Sequence, residues 1–160
     1  MKIAVLTGSP HKNGTTALLA DRFIEGARSK GHEVYRFDAA FRNIHPCLGC
    51  DACGMSGPCV HKDDIETEAI QKFMEADVIA LVSPVYYFAL TAQLKTVIDR
   101  FYSRTYDING KQSVLLAAGG SNTPLTMRAA LPNIMKRWQG ICTGRTGTGC
   151  LHRGARHAKL

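Results

Sequence analysis

Long hydrophobic runs are absent from this sequence. No apolar stretch in its 160 residues approaches the ~20 residues that cross a bilayer, so contact with a membrane is not expected. The N-terminal segment MKIAVLTGSPHKNG has a short apolar run but no small-residue cleavage site, so we interpret it as a first β-strand rather than a signal peptide. We therefore expect a cytoplasmic protein, whose thiols stay reduced unless a metal or a catalytic cycle engages them.

Acidic residues are missing from the last third of the chain. Residues 108–160 contain eight Lys or Arg and no Asp or Glu, whereas residues 1–107 contain 12 basic and 13 acidic residues. The whole net charge of +7 therefore comes from the C-terminal part. A basic tail attracts polyanions, but no arginine–aromatic interleaving or zinc-finger spacing accompanies it. Nucleic-acid binding is not expected, and we interpret residues 139–160 as an atypical basic tail.

Apolar segments of two periods alternate along the rest of the chain. With 45% hydrophobic and 21% charged residues, the composition is typical of a single soluble domain. Strand-like and helix-like segments in turn indicate βαβ units and an α/β, doubly wound parallel sheet. The predicted strands are Lys2–Thr7, His32–Phe37, Asp77–Pro84 and Ser113–Ala118, and the predicted helices span about 15–30, 63–75, 91–104 and 125–138. This domain covers residues 1–138.

The first loop, TGSPHKNGTT at residues 7–16, excludes two nucleotide classes. Five residues separate Gly8 from Gly14 and Thr15 stands where a triphosphate-binding loop needs Lys, while the dinucleotide motif GxGxxG is absent. Thr15 or Thr16 is the predicted cap of the first helix, whose apolar face would include Leu18 and Ile24. Hydroxyl and N–H donors before a helix N-terminus favour a terminal monophosphate. The alternative is a long turn with no ligand.

Two further loops should meet the first one, because ligands of such sheets bind beyond the carboxyl ends of the strands. SPVYYFAL at residues 83–90 presents three aromatic side chains on which a fused ring can stack, with backbone N–H groups nearby. AAGGSN at residues 117–122 offers bare backbone at Gly119 and Gly120. The alternative for the aromatic residues is the protein core or a subunit interface.

Four of the six cysteines lie within thirteen residues, in HPCLGCDACGMSGPCV. They belong to a 25-residue loop, residues 38–62, that has neither helical nor strand periodicity and is long for a compact domain unless it is functional. The spacing C-x2-C-x2-C-x5-C matches a cubane iron–sulfur cluster better than zinc, which more often takes two separated CxxC pairs. Disulfides, a redox dithiol, zinc or empty cysteines stay open as alternatives. The candidate metal ligands are Cys47, Cys50, Cys53 and Cys59.

These segments together resemble a known family. GSPHKNGTT, the CxGCxxC segment with a following DD, and SPVYYFALTAQLKTVIDR are similar to the flavodoxin-like NADPH-dependent FMN reductases, and the cysteine spacing to their iron–sulfur flavoprotein branch, over about residues 1–125. The resemblance implies FMN on a sheet of order 2-1-3-4-5, and usually a homodimer or homotetramer. It implies a cofactor site formed by Ser9, His11, Asn13, Gly14, Thr15, Thr16, Pro84, Val85, Tyr86, Tyr87, Phe88, Gly119 and Gly120.

The C-terminus departs from that family. Residues 139–160 contain four glycines between Gly140 and Gly149 and no helical period, so we expect the fifth strand and the last helix to be weak or missing. The predicted function is an FMN-dependent oxidoreductase that passes electrons from NAD(P)H to an acceptor such as a flavin or quinone, with no catalytic side chain assigned. The alternatives are an electron carrier between FMN and a [4Fe–4S] cluster, and a binding module built on structural zinc.

Overall fold

The computed structural model describes residues 1–120 and the backbone of residues 151–153. The predicted helix over 125–138 and any helix after the fifth strand lie outside these residues. Five parallel strands form one sheet in the order β2-β1-β3-β4-β5, which is the order that the resemblance implies. They are β1 (Lys2–Thr7), β2 (Glu33–Asp38), β3 (Val78–Pro84), β4 (Gln112–Gly119) and β5 (Leu151–Arg153). The fifth strand is three residues long, as the glycine-rich sequence before it predicts.

Helices cover both faces of this sheet. They are α1 (Thr15–Ser29), α2 (Ile70–Glu75), which continues a π-helical turn at Ile65–Ala69, and α3 (Ala92–Arg100), which ends in a 3-10 turn at Phe101–Arg104. A short 3-10 turn, Ala39–Phe41, follows β2. Side chains of α1 pack on one face of the sheet, and those of α2 and α3 pack on the other.

Strand β1 shows why the sheet is central. Ala4 and Leu6 belong to the core shared with α2 and α3, whereas Ile3 and Val5 belong to the core shared with α1. Alternate side chains of a strand point to opposite faces, so a strand that is apolar throughout must be covered on both sides. The continuous apolar sequence of β1 predicts this burial correctly.

Two expectations for α1 are wrong. Gly14 is its N-terminal cap and no side chain caps it, so neither Thr15 nor Thr16 has that role. Leu18 is 56% exposed, because the buried face follows the i, i+4 row Thr16, Ala20 and Ile24. A small buried face of this kind lets α1 lie close to the sheet, and the larger Leu18 is directed to solvent.

Candidate functional site

The loops after β1, β3 and β4 meet at the carboxyl edge of the sheet. Thr7 pairs with Val82, and Pro84 pairs with Ala118, so the strands bring the ends of all three loops together. The pairing of β3 with β4 continues past the strand, since Val85 N–H donates to the Ala118 carbonyl at 2.7 Å. Strand order reverses between β1 and β3, which is where ligands of open α/β sheets bind.

Gly8 fixes the first loop against α3. Its N–H donates to the Val82 carbonyl at 2.9 Å, and its carbonyl accepts from Thr91 Oγ1 at 2.9 Å. A Cβ at this position would lie 2.2 Å from Thr91 Oγ1 and 2.6 Å from Leu94 Cβ, so only glycine fits. This role of Gly8 could not be predicted from the sequence, because Thr91 is 83 residues away along the chain.

The rest of the first loop surrounds an open helix N-terminus. Ser9 is buried, and its Oγ accepts from the His11 N–H at 3.2 Å, while the side chains of His11, Asn13 and Thr15 are exposed. Gly14 is extended and leaves the first N–H groups of α1 without a side-chain cap. Those N–H groups carry the partial positive charge of the helix and can bind an anion. Thr16 is buried in the first turn of α1, and its role in binding a phosphate stays a prediction.

The second loop forms a two-residue hairpin turn. Tyr86 N–H donates to the Ala89 carbonyl at 3.0 Å, and Ala89 N–H returns the bond at 3.1 Å. Both central residues, Tyr87 and Phe88, have positive φ (44° and 65°), as in a type I′ turn. Such turns usually contain Asn and Gly, because bulky residues are strained at positive φ. We call residues 86–89 the aromatic turn.

The aromatic turn lies outside the core. Tyr86 is 45% exposed, Tyr87 94% and Phe88 61%, so the interpretation of these rings as core residues is wrong. Pro84 and Val85 are half-buried, and Val85 packs against the apolar core beneath the turn. A strained turn that exposes three aromatic rings at a ligand-binding edge is expected of a site that contacts a flat ligand.

The third loop begins with Gly119, which is half-buried at the end of β4, and Gly120, which is exposed. A Cβ on Gly120 would meet no atom within 4 Å among the described residues. Packing within this part of the chain therefore does not require glycine at position 120. Its predicted role, close approach of backbone to a ligand, stays a prediction.

The four clustered cysteines line one pocket. Cys47 and Cys50 are exposed, Cys53 and Cys59 are half-buried, and all four are free thiols. The pocket between them is small, about 20 Å³, and we call it the cysteine pocket. Within residues 1–120 no three His, Cys, Asp or Glu side chains converge on a point where a single ion could sit. The fold therefore places the four predicted metal ligands around one pocket, and their side chains do not converge on a single point.

Tight turns shape the cysteine loop. Gly49, Asp51, Gly54 and Met55 have positive φ, and the Gly57 N–H donates to the Cys53 carbonyl at 2.7 Å. The Gly49 N–H donates to Cys47 Sγ at 3.4 Å. Backbone donors aimed at sulfur lower the energy of a thiolate and are a recurrent feature of cluster-binding loops.

Side chains of α3 and its 3-10 turn hold the loop in place. Asp63 accepts from Arg100 Nη1 at 2.7 Å and from the His45 N–H at 2.8 Å. Tyr102 OH donates to Asp51 Oδ1 at 2.7 Å, and Arg104 donates to the Gly57 carbonyl. Sequence reasoning missed these residues, since they lie 37 to 51 positions from their partners. The only local indication of these contacts in the sequence was the pair Asp99–Arg100 at the end of the amphipathic helix.

The lining of the cysteine pocket contains unpaired donors. Arg100 and Asp63 are each 1% exposed at the side chain, yet Arg100 Nε and Nη2 have no hydrogen-bond partner. His61 Nε2 is buried without a partner as well, and the His61 ring stacks on His45 with centroids 5.2 Å apart. Burial by itself would raise the pKa of Asp63, but hydrogen bonds from Arg100 and the His45 amide outweigh it and lower that pKa.

Comparison with known proteins identifies relatives over most of the chain. The family model for NADPH-dependent FMN reductase matches residues 1–154. An iron–sulfur flavoprotein of Archaeoglobus fulgidus is 32% identical over 147 residues, which cover 90% of this chain and 66% of the relative. One of Methanocaldococcus jannaschii is 38% identical over 100 residues, which cover 62% of this chain and 51% of the relative. The chain thus spans about half to two thirds of these relatives' length.

Solved structures agree on the fold. The NAD(P)H:quinone oxidoreductase from Methanothermobacter marburgensis matches with a TM-score of 0.77 at 19% identity, over 99% of this chain and 87% of that one. A flavodoxin of Streptococcus pneumoniae matches with a TM-score of 0.59 at 16% identity, over 96% of this chain and 84% of that one. At these identities the likeness establishes the flavodoxin-like fold alone. Among the described residues, no helix combines the length and apolarity needed to cross a bilayer.

Proposed function

The chain belongs to the NADPH-dependent FMN reductase family, and on that premise we propose that it is an FMN-dependent oxidoreductase that takes electrons from NAD(P)H. The observation that carries this proposal is that the open N-terminus of α1 and the aromatic turn follow neighbouring parallel strands, β1 and β3, at the carboxyl edge of the sheet. The N-terminus of α1 can bind a phosphate, and the aromatic turn can stack on a flat aromatic ring. FMN has both parts at opposite ends of one molecule.

Each predicted residue then has a definite task. The FMN phosphate would accept hydrogen bonds from the loop of Ser9, His11, Asn13 and Thr15 and from the first N–H groups of α1, which begins after Gly14. The aromatic turn and the backbone after Pro84 would flank the ring on one side. Gly119 and Gly120 would leave room for it on the other.

Bound flavin supplies the redox chemistry, accepting a hydride from a nicotinamide and releasing electrons to an acceptor. The protein would bind the cofactor and orient it. The exposed aromatic turn leaves the ring side of the site open to a nicotinamide and to a small acceptor such as a flavin or quinone. The free thiols fit a reducing, cytoplasmic location, and the exposed rings fit a homodimer or homotetramer. No membrane or nucleic-acid partner is part of the proposal.

The cysteine pocket favours a second candidate function, an iron–sulfur flavoprotein that carries electrons between FMN and a [4Fe–4S] cluster. Four free thiols around one pocket, a backbone N–H on Cys47 Sγ and the unpaired donors of Arg100 fit a group of negative charge. The spacing C-x2-C-x2-C-x5-C suits such a cluster better than zinc, which more often takes two separated CxxC pairs. Cys47, Cys50, Cys53 and Cys59 would hold the cluster.

Anaerobic purification followed by an absorption spectrum, FMN release, and iron and sulfide analysis tests both candidates. Flavin without iron, together with NAD(P)H oxidation, supports the reductase alone. Flavin with iron and acid-labile sulfide supports the electron carrier. A colourless protein that does not take up added FMN would overturn both, and comparison of NADH with NADPH would identify the donor.

Tyr86→Ala gives a direct test of the ring side of the site. We expect weaker FMN retention, because the variant removes one stacking surface beside the proposed ring position. Tyr106→Ala is the matched control, since Tyr106 is also exposed but follows α3 rather than β3. Equal FMN content in both variants would count against stacking on the aromatic turn.

A further inference from the structure

Arg100 is the least satisfied charged residue among the buried side chains of the described part. It ends α3, is 1% exposed and lines the cysteine pocket. Its Nη1 donates to Asp63 at 2.7 Å and to the His45 carbonyl at 3.0 Å. A guanidinium has five N–H donors, so the three on Nε and Nη2 remain without an acceptor. Buried unpaired donors of a charged group are costly, and their presence indicates an acceptor at that place.

The protein itself offers few acceptors there. Asp63 already accepts from the His45 and Glu66 amides as well as from Arg100, and Asp51 accepts from Tyr102. The other groups on the pocket wall that can accept a hydrogen bond include the four cysteine sulfurs and the unpaired Nε2 of His61. An anionic, sulfur-bearing group in the pocket would satisfy Arg100 without disturbing its bond to Asp63.

We propose that Arg100 is the charge-compensating residue of the cysteine pocket, retaining the cluster there and making its one-electron reduction more favourable. This inference rests on the iron–sulfur part of the proposed function. A cluster held by Cys47, Cys50, Cys53 and Cys59 would accept one electron from the reduced flavin of the proposed function, without a proton, and its negative charge would then increase by one. A fixed positive charge beside it stabilises the reduced state more than the oxidised state and raises the reduction potential.

Arg104 is the control residue for the proposed charge-compensating role of Arg100. It lies four residues further on and holds the same loop, donating to the Gly57 carbonyl and to Glu66 Oε1 at 2.8 Å. Unlike Arg100, it does not line the cysteine pocket. Loss of Arg104 should therefore loosen the loop without changing the charge beside the thiols.

The test compares wild type with Arg100→Gln, Arg100→Lys and Arg104→Gln, all prepared anaerobically as the full chain. Iron and sulfide per chain, the rate of iron loss to a chelator, and the midpoint potential from a dithionite titration followed by EPR are measured. We expect Arg100→Gln to lose iron at least several-fold faster and to have a more negative midpoint. Arg100→Lys should lie nearer to wild type, and Arg104→Gln should keep the wild-type midpoint.

A fourth variant is a control for misfolding, because Arg100→Gln leaves the buried Asp63 carboxylate without its cation. The double variant Asp63→Asn with Arg100→Gln removes both charges and keeps an acceptor for the His45 amide. With native circular dichroism, it should still lose iron faster than wild type and show a negative shift smaller than that of Arg100→Gln, because loss of the Asp63 carboxylate partly offsets loss of the guanidinium. If wild type contains no iron or sulfide, the iron–sulfur proposal falls and this inference falls with it. If wild type holds the cluster and neither Arg100 variant changes midpoint or iron loss, the inference alone is overturned.

Discussion

The loops after β1 and β3 and the cysteine loop after β2 leave the same edge of the sheet, yet different interactions hold them. Strand register positions the first two loops, through pairs such as Thr7 with Val82 and Pro84 with Ala118. Side chains of α3 and its 3-10 turn position the cysteine loop, with Asp63 as the central acceptor. The proposed flavin edge is thus part of the framework of the fold, whereas the cysteine loop is attached to it by a few polar contacts.

Removing the central acceptor should have the largest effect. Asp63→Ala leaves Arg100 buried without its partner, which costs about 3–5 kcal/mol of the free energy of unfolding when a buried ion pair is broken. Urea unfolding measures this loss, and faster alkylation of the half-buried Cys53 and Cys59 would report the loosened loop.

Asp64→Ala is the matched control for that prediction. Asp64 also accepts from the loop, taking the Asn43 N–H at 2.9 Å, but it is half-exposed and does not face Arg100. We expect a loss of about 1 kcal/mol or less, as for other hydrogen bonds near the surface. Equal losses in the two variants would show that the ion pair does not hold the loop.

Gly8 tests the loops that the strand register positions. Gly8→Ala places a Cβ against Thr91 Oγ1 and Leu94 Cβ, and such overpacking typically costs about 1–3 kcal/mol. Gly26→Ala is the control, because a Cβ there meets nothing within 4 Å and glycine inside a helix is unfavourable by about 0.5–1 kcal/mol relative to alanine. The two variants should shift the urea midpoint in opposite directions, and a stable Gly8→Ala protein would contradict the close approach of α3.

The same contrast explains what could be predicted from the sequence. Lys2–Thr7 is both the predicted and the observed extent of β1, because a continuous apolar run bounded by glycine and proline leaves little choice. The position of the loops at the carboxyl edge then follows from the βαβ order, whereas FMN as their ligand is implied by the family resemblance. The four thiols that the sequence spacing groups together line one pocket, and their role as metal ligands stays a prediction.

What could not be predicted depends on contacts between distant residues. The Arg100–Asp63 pair joins positions 37 residues apart. Neither residue belongs to a local sequence pattern that predicts a buried side chain. The exposure of Leu18 was missed because α1 buries a row of small residues, which hydrophobicity alone does not single out. Positive φ at Tyr87 and Phe88 runs against local preference, so no rule based on sequence indicates it.

Acid should weaken the cysteine loop through Asp63. Its pKa is lowered in the folded protein, so its contribution to stability is present above the unfolded pKa of about 3.9 and is lost as pH falls through the folded value. Asp63→Asn lacks this titration. We expect wild type to be more stable than Asp63→Asn at neutral pH, and the gap between their urea midpoints to narrow below about pH 4. A gap that stays constant down to pH 2.5 would contradict the assignment.

The smallest expected effect concerns the aromatic turn. Replacing Tyr87 with Asn and Phe88 with Gly supplies the residues that a type I′ turn prefers, and the two rings are too exposed for much burial to be lost. We expect the protein without FMN to gain about 1 kcal/mol, because strain at positive φ is relieved. Retention of FMN should fall at the same time, since the exposed rings are lost. Tyr106→Asn, at an exposed tyrosine that is not at positive φ, should change neither quantity. A double variant that gains stability and still retains FMN would mean that the strained turn serves some purpose other than the flavin, and a subunit interface would then be the first alternative to measure.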